Sequence, residues 1–128
     1  MRAPVSVVIP TLNAARWLPL QLAALAEGLQ AGLIREVILL DGGSEDATLA
    51  IADQAGAEVV AASVGLGAAS GEWLLVGRAA TVPEPGWADK ALHHIEGGAV
   101  GRLRIKARAM RRGWRVWQAT AWRLQRRA

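Results

Sequence analysis

The chain has 128 residues, no cysteine and a formal net charge of +4. That length gives a single domain, 1–128, with one core, and the missing cysteine excludes disulfides and thiolate metal sites, as fits a cytoplasmic protein. A composition that is 52% apolar excludes a disordered chain, and no apolar run approaches the ~18 residues of a membrane span.

The first strand is read from Val5-Ser-Val-Val-Ile-Pro-Thr-Leu-Asn13, an apolar run that stops at small polar residues. Pro10, Asn13 and Arg16 also break any basic-then-apolar signal-peptide pattern. Trp17, Leu18, Leu22, Leu25 and Leu29 then fall on one face of a helix that ends near Gly32. Glu36-Val-Ile-Leu-Leu-Asp-Gly-Gly-Ser-Glu-Asp46 carries the second strand, over 35–40. Ser44 reads as the N-cap, and Asp46 as a first-turn acid, of a helix reaching about Ala55 and ended by Gly56. A third strand covers 57–62. Gly65, Gly67 and Gly71 mark a loop with at most one helical turn, and a fourth strand covers 72–76. Pro83, Pro85 and Gly86 make a turn that starts a helix over 87–95.

Beyond Gly98 the pattern changes. Val100, Leu103 and Ile105 alternate with Arg102, Arg104 and Lys106, which suits a half-exposed strand over 99–105. A short helix is expected over 106–112, a strand over 114–118 and a helix over the last ten residues, with Trp122 and Leu124 partly covered. The order predicts an α/β fold, a mostly parallel sheet flanked by helices.

The two apolar runs have a β-branched bias and read as strands buried on both faces. Their polar ends then lie at the carboxyl edge of the sheet, where open α/β folds bind ligands. These two motifs, with Gly71-Glu-Trp-Leu-Leu75 and Pro83-Glu-Pro-Gly-Trp87, resemble the family 2 glycosyltransferases over roughly residues 4–100. The resemblance implies a Rossmann-like domain of the nucleotide-diphospho-sugar transferase type, here truncated, with residues 1–100 as its nucleotide-binding part.

In that family the segment matching Pro10, Thr11, Leu12 and Asn13 lines a nucleoside pocket, and the aspartate matching Asp41 accepts the N3–H of uracil. The residues suit those jobs. Pro10 turns the chain and frees backbone groups, and an ionised carboxylate is an acceptor only. Gly42 and Gly43 allow close backbone approach. Ser44 either contacts ligand or caps the helix, and Gly65 offers a backbone N–H to a phosphate. Each motif taken alone also reads as an ordinary strand-to-helix turn.

Where the family carries an Asp-x-Asp metal motif, this chain reads Val76-Gly-Arg-Ala-Ala-Thr81, so Arg78 and Ala80 replace the two acids. Alanine offers no oxygen to a hard cation, so no metal ligands are assigned and no divalent metal is expected. Arg78 either meets the diphosphate directly or is a surface arginine after a strand. The segment between the third and fourth strands is short, and no Asp or Glu follows Glu96, so the family's general base has no counterpart. His93 and His94 are adjacent on a helix and point apart, which excludes a shared metal.

Residues 1–100 hold five Lys/Arg and eleven Asp/Glu, a charge of −6; residues 101–128 hold ten Lys/Arg and no acid, a charge of +10. Basicity therefore belongs to the Trp-rich C-terminal part. Its readings are a solvated face over packed tryptophans, a homo-oligomer or acidic-partner contact, and, through 102–127, an anionic membrane surface. Nucleic acid comes last because no recognised motif is present. The expected ligand is UDP or a UDP-sugar, with little or no transfer; the alternatives are a metal-independent transferase and an interaction protein docking through its basic segment.

Overall fold

The computed structural model describes residues 3–98, 101–110 and 120–127. Seven strands form one sheet in the order β3-β2-β1-β4-β7-β6-β5. β1 (Val5–Thr11) is central in the parallel half, between β2 (Ile34–Asp41) and β4 (Trp73–Val76); β3 (Glu58–Ala61) lies outside β2. Val5, Val7 and Ile9 enter the larger core with Leu39 and Leu75, whereas Val8 packs on the other face with Ile38 and Leu74. Burial on both faces is why these strands read as unbroken apolar runs.

The larger core is covered by α1 (Leu18–Ala24), α2 (Ala26–Gln30), α3 (Thr48–Ala55) and α4 (Trp87–Glu96). The helix expected over 17–32 is divided at Leu25 into α1 and α2. Leu18 and Leu25 are buried, but Leu29 is 57% exposed. α4 is capped from outside its own segment. The Glu27 carboxylate of α2 accepts hydrogen bonds from the Gly86 and Ala88 amides at 3.0 and 3.1 Å, and Trp87 Nε1 donates to the Ala24 carbonyl at 2.8 Å. Those bonds satisfy amides that a helix start leaves unpaired. The opposite face, over β1 and β2, is covered by a 3-10 segment, Ala62–Ala68, where a loop with one turn was expected.

Three expectations for the second half are overturned. β6 (Leu103–Ala109) takes in 106–109, the start of the helix expected over 106–112, whose residues 111 and 112 lie outside the described residues. Within the last ten residues, Thr120–Arg126 form β7, not a helix, and Trp122 and Leu124 are fully buried. β5 (Thr81–Pro83) pairs with β6 where only a turn was expected. Pairing decides all three. β7 runs antiparallel to both β4 and β6, seating Trp122 opposite Ile105 and Leu124 between Leu75 and Leu103. Local helix preference in an Arg- and Ala-rich segment yields to that burial. The sheet is therefore parallel from β3 to β4 and antiparallel from β4 to β5. The strand expected over 114–118 lies outside the described residues.

Candidate functional site at the carboxyl edge of the parallel strands

β1 and β2 end in register, Thr11 opposite Asp41, and β4 ends beside β1 with Val76 opposite Val8. The connection from β1 leads to β2 on one side, and the chain returns to β4 on the other. The strand order thus reverses at β1, and the crevice opened there is where such sheets take ligands.

A hydrogen-bonded cluster fills the β1–β2 side. Asp41 Oδ1 accepts from the Thr11 hydroxyl at 2.8 Å and the Ser44 hydroxyl at 2.6 Å. Its Oδ2 accepts from the Gly43 and Ser44 amides at 3.0 and 2.8 Å. Partial burial pushes the Asp41 carboxyl up, but the Ser44 hydroxyl and amide, then Thr11 and Gly43, outweigh it and hold it down at about 2. Asn13 sits across from this turn at φ 50, a left-handed conformation that asparagine tolerates better than most residues. Its amide donates to Ser44 Oγ at 2.9 Å and its Oδ1 accepts from the Glu45 amide at 2.8 Å. Thr11, Asn13, Asp41, Gly43 and Ser44 are therefore one network joining the ends of two strands.

Ser44 is not the cap of α3. That helix begins at Thr48, and its entry is tied by Asp46, which precedes the first turn and accepts from the Thr48 amide at 2.9 Å and from its hydroxyl. The Thr48 hydroxyl in turn accepts from the Ala14 amide at 2.8 Å. Ser44 is left to serve Asp41 and Asn13.

Pro10, Gly65 and Arg78 stand on the same edge but outside this network. Pro10 is exposed opposite Leu40; Gly65, at φ 66, follows the end of β3. Arg78 is exposed two residues beyond β4 on a tightly held loop. Gln21, fully buried in α1, donates Nε2 to the Arg78 and Thr81 carbonyls at 3.0 and 2.9 Å. The Thr81 hydroxyl donates to the Arg78 carbonyl at 2.9 Å and accepts from Trp122 Nε1 at 2.8 Å. The Met110 amide donates to the Ala80 carbonyl at 2.7 Å, and Ala80 holds φ 56, a conformation that costs alanine about 1–2 kcal/mol. The fit at Gly77 is tight, since a Cβ would fall 3.1 Å from the Trp122 ring and 3.2 Å from Ile9.

The Arg78, Ala80 and Thr81 carbonyls accept hydrogen bonds, and Arg78, Ala79 and Ala80 add no carboxylate, so these residues do not fit a divalent cation. Among the described residues no group of three His, Cys, Asp or Glu side chains is placed to hold a metal. His94 is occupied elsewhere, 2.7 Å from the Gly101 carbonyl and edge-on to Trp73 at 5.5 Å.

Sequence reasoning missed two contributors. Gln21 has the signal of a polar residue at a core position, three after Leu18 and four before Leu25. Trp122 lies on a strand that was read as a helix. Leu12, which the sequence places in the nucleoside segment, is 59% exposed between Thr11 and Asn13 and gives the crevice an apolar surface.

The Asp41 network yields a stability prediction. Asp41→Asn keeps the shape but loses acceptor capacity beside two amides. Because the site is partly exposed, a cost of about 1 kcal/mol is expected at pH 7. A depressed carboxyl stabilises above its unfolded pKa and loses that contribution as pH falls through its folded value. The gap between wild type and variant, read by urea unfolding, should be constant above about pH 4 and close toward pH 2. A gap that persists unchanged at pH 2 would contradict the network.

Residues 6–127 match the family model described as glycosyl transferase family 2. Glucosyl-3-phosphoglycerate synthase from Mycobacterium tuberculosis, solved with Mn2+, uridine-diphosphate and glucosyl-3-phosphoglycerate, is similar at TM-score 0.59 and 24% identity, over 73% of this chain and 39% of that one. S. aureus TarS 1-349 is similar at TM-score 0.63 and 22% identity, over 73% of this chain and 32% of that one. TarS 1-349 in complex with UDP gives TM-score 0.62 at the same identity and coverage. At these identities the likeness is one of fold, and the chain spans well under half the length of either protein. No curated protein matches the chain. Among the described residues, no helix is long and apolar enough to cross a membrane.

Proposed function

We propose that this chain, which belongs to glycosyl transferase family 2, binds a uridine nucleotide, UDP or a UDP-sugar, at the carboxyl edge of β1, β2 and β4. The observation that supports this reading is the Thr11–Asp41–Ser44–Asn13 network at the point where the strand order reverses. UDP is bound in the cited structures of the synthase and TarS, whose fold this chain shares, and that supports the reading.

In this reading the base lies against Leu12 and the exposed flank of Pro10. Its N3–H reaches Asp41 by displacing the Ser44 hydroxyl, a rotor that swings aside at little cost, while the two amides stay in place. A carboxylate acceptor selects uracil over cytosine, whose ring nitrogen is itself an acceptor. The diphosphate meets Arg78, which takes the position of the metal-binding acids, and Gly65 offers a backbone N–H from the other flank. No divalent metal takes part. Transfer is weak or absent, because this chain has no acid after Glu96 to act as the base.

Calorimetric titration with UDP, CDP, GDP and ADP tests the base assignment. UDP should bind at least tenfold tighter than CDP. Equal affinity for all four would remove the role given to Asp41, and no binding of any would remove the site.

A further inference from the structure

We propose that the outward face of β6 and β7 is a binding surface for an extended, phosphate-bearing chain. Arg104, Lys106 and Arg108 are the exposed residues of β6, alternating with buried Ile105 and Ala107, and exposed Arg102 precedes them. At ~3.4 Å per residue the four cations form a row about 20 Å long. Arg123 of β7 lies directly opposite Arg104, and its Nε is hydrogen-bonded only to the neutral Gln125 side chain. Arg102, Arg104 and Arg123 line a shallow groove of about 250 Å³.

Three features separate this face from an ordinary solvated one. None of its five cations has an acidic partner: the ion pair among the described residues is Arg126 with Glu72, and residues 97–128 contain no acid. Like charges directly opposite each other destabilise a sheet, yet Arg104 faces Arg123. Basic residues often blunt the edges of sheets, but β6 and β7 are interior strands, between β4 and β5. The charge therefore serves something other than folding.

The shape selects the occupant. A row of cations fits a linear polyanion, whereas a membrane would be met by a broader patch with apolar side chains inserted. Among the described residues, the exposed leucines and valines lie elsewhere, and Trp73 and Trp122 are buried and offer no platform for stacked bases. Recognition then rests on phosphate charge. Val76, at the nucleotide edge of β4, lies opposite Arg123, so the face runs on from that edge. The binding claim nonetheless stands apart from the uridine reading, because it is tested without nucleotide.

The full chain is titrated with inorganic polyphosphate at several salt concentrations. With about 0.7 released counterions per phosphate contact on a single chain, five contacts predict a log–log salt slope of about −3.5. The triple variant Arg104→Ser, Lys106→Ser, Arg123→Ser should bind at least tenfold more weakly, reduce the slope to about −1.4 and melt at the wild-type temperature. Lys90→Ser on α4 should bind as wild type. Absence of polyphosphate binding, or a triple variant with unchanged slope, overturns the proposal. So does tighter binding to phosphatidylglycerol vesicles or duplex DNA at equal phosphate, or self-association that the triple variant abolishes.

Discussion

Trp122→Ala should lower the folding free energy by about 3–5 kcal/mol, much of the 5–15 kcal/mol available to a domain of this size. The indole is fully buried on β7, packs against Gly77 and donates to the Thr81 hydroxyl. Its removal leaves a cavity between β4 and β6 and unfastens the loop that carries Arg78. Trp122→Phe keeps most of the volume and loses the hydrogen bond, so it should cost about 1–2 kcal/mol. Denaturant unfolding followed by circular dichroism measures both. An alanine variant within 1 kcal/mol of wild type would mean that the C-terminal residues do not form an interior strand.

Arg78→Ser should weaken UDP binding by about 10- to 100-fold, as expected for the loss of charge-assisted hydrogen bonds worth about 1.5–3 kcal/mol, and leave uridine binding unchanged. The split follows from position. Arg78 lies beyond β4, whereas the proposed base contacts lie at the ends of β1 and β2. The loop's clamp by Gln21, Thr81 and Met110 fixes the backbone beneath the arginine, so little ordering accompanies its contact. Arg78→Lys should restore only part of the affinity, because an ammonium lacks the planar fork. Equal losses for UDP and uridine would mean that Arg78 shapes the pocket without meeting phosphate.

The parallel half of the fold was legible because its signals are local. Continuous apolar runs stop at Pro10 and Asp41, and burial on both faces writes itself directly into composition. The same runs located the crevice. The antiparallel half was not legible, since residues 103–109 and 120–126 become strands only by pairing with β4 and with each other, a contact between distant parts of the chain. Arg108-Ala-Met-Arg111 has helix preference and nothing nearby to oppose it. Within the site, Asp41 and Ser44 were singled out as residues, but their geometry was hidden. A capping serine and a serine that serves a carboxylate look alike in sequence, and only the late start of α3 at Thr48 separates them. Gln21 joins the site through Arg78, 57 residues away, which no local pattern encodes.

Titration of the full chain with UDP, once with Mn2+ and once with excess chelator, tests the central claim most directly. The proposed contact of Arg78 with the diphosphate predicts saturable UDP binding with the same affinity in both arms. Binding that appears only with Mn2+ would contradict it.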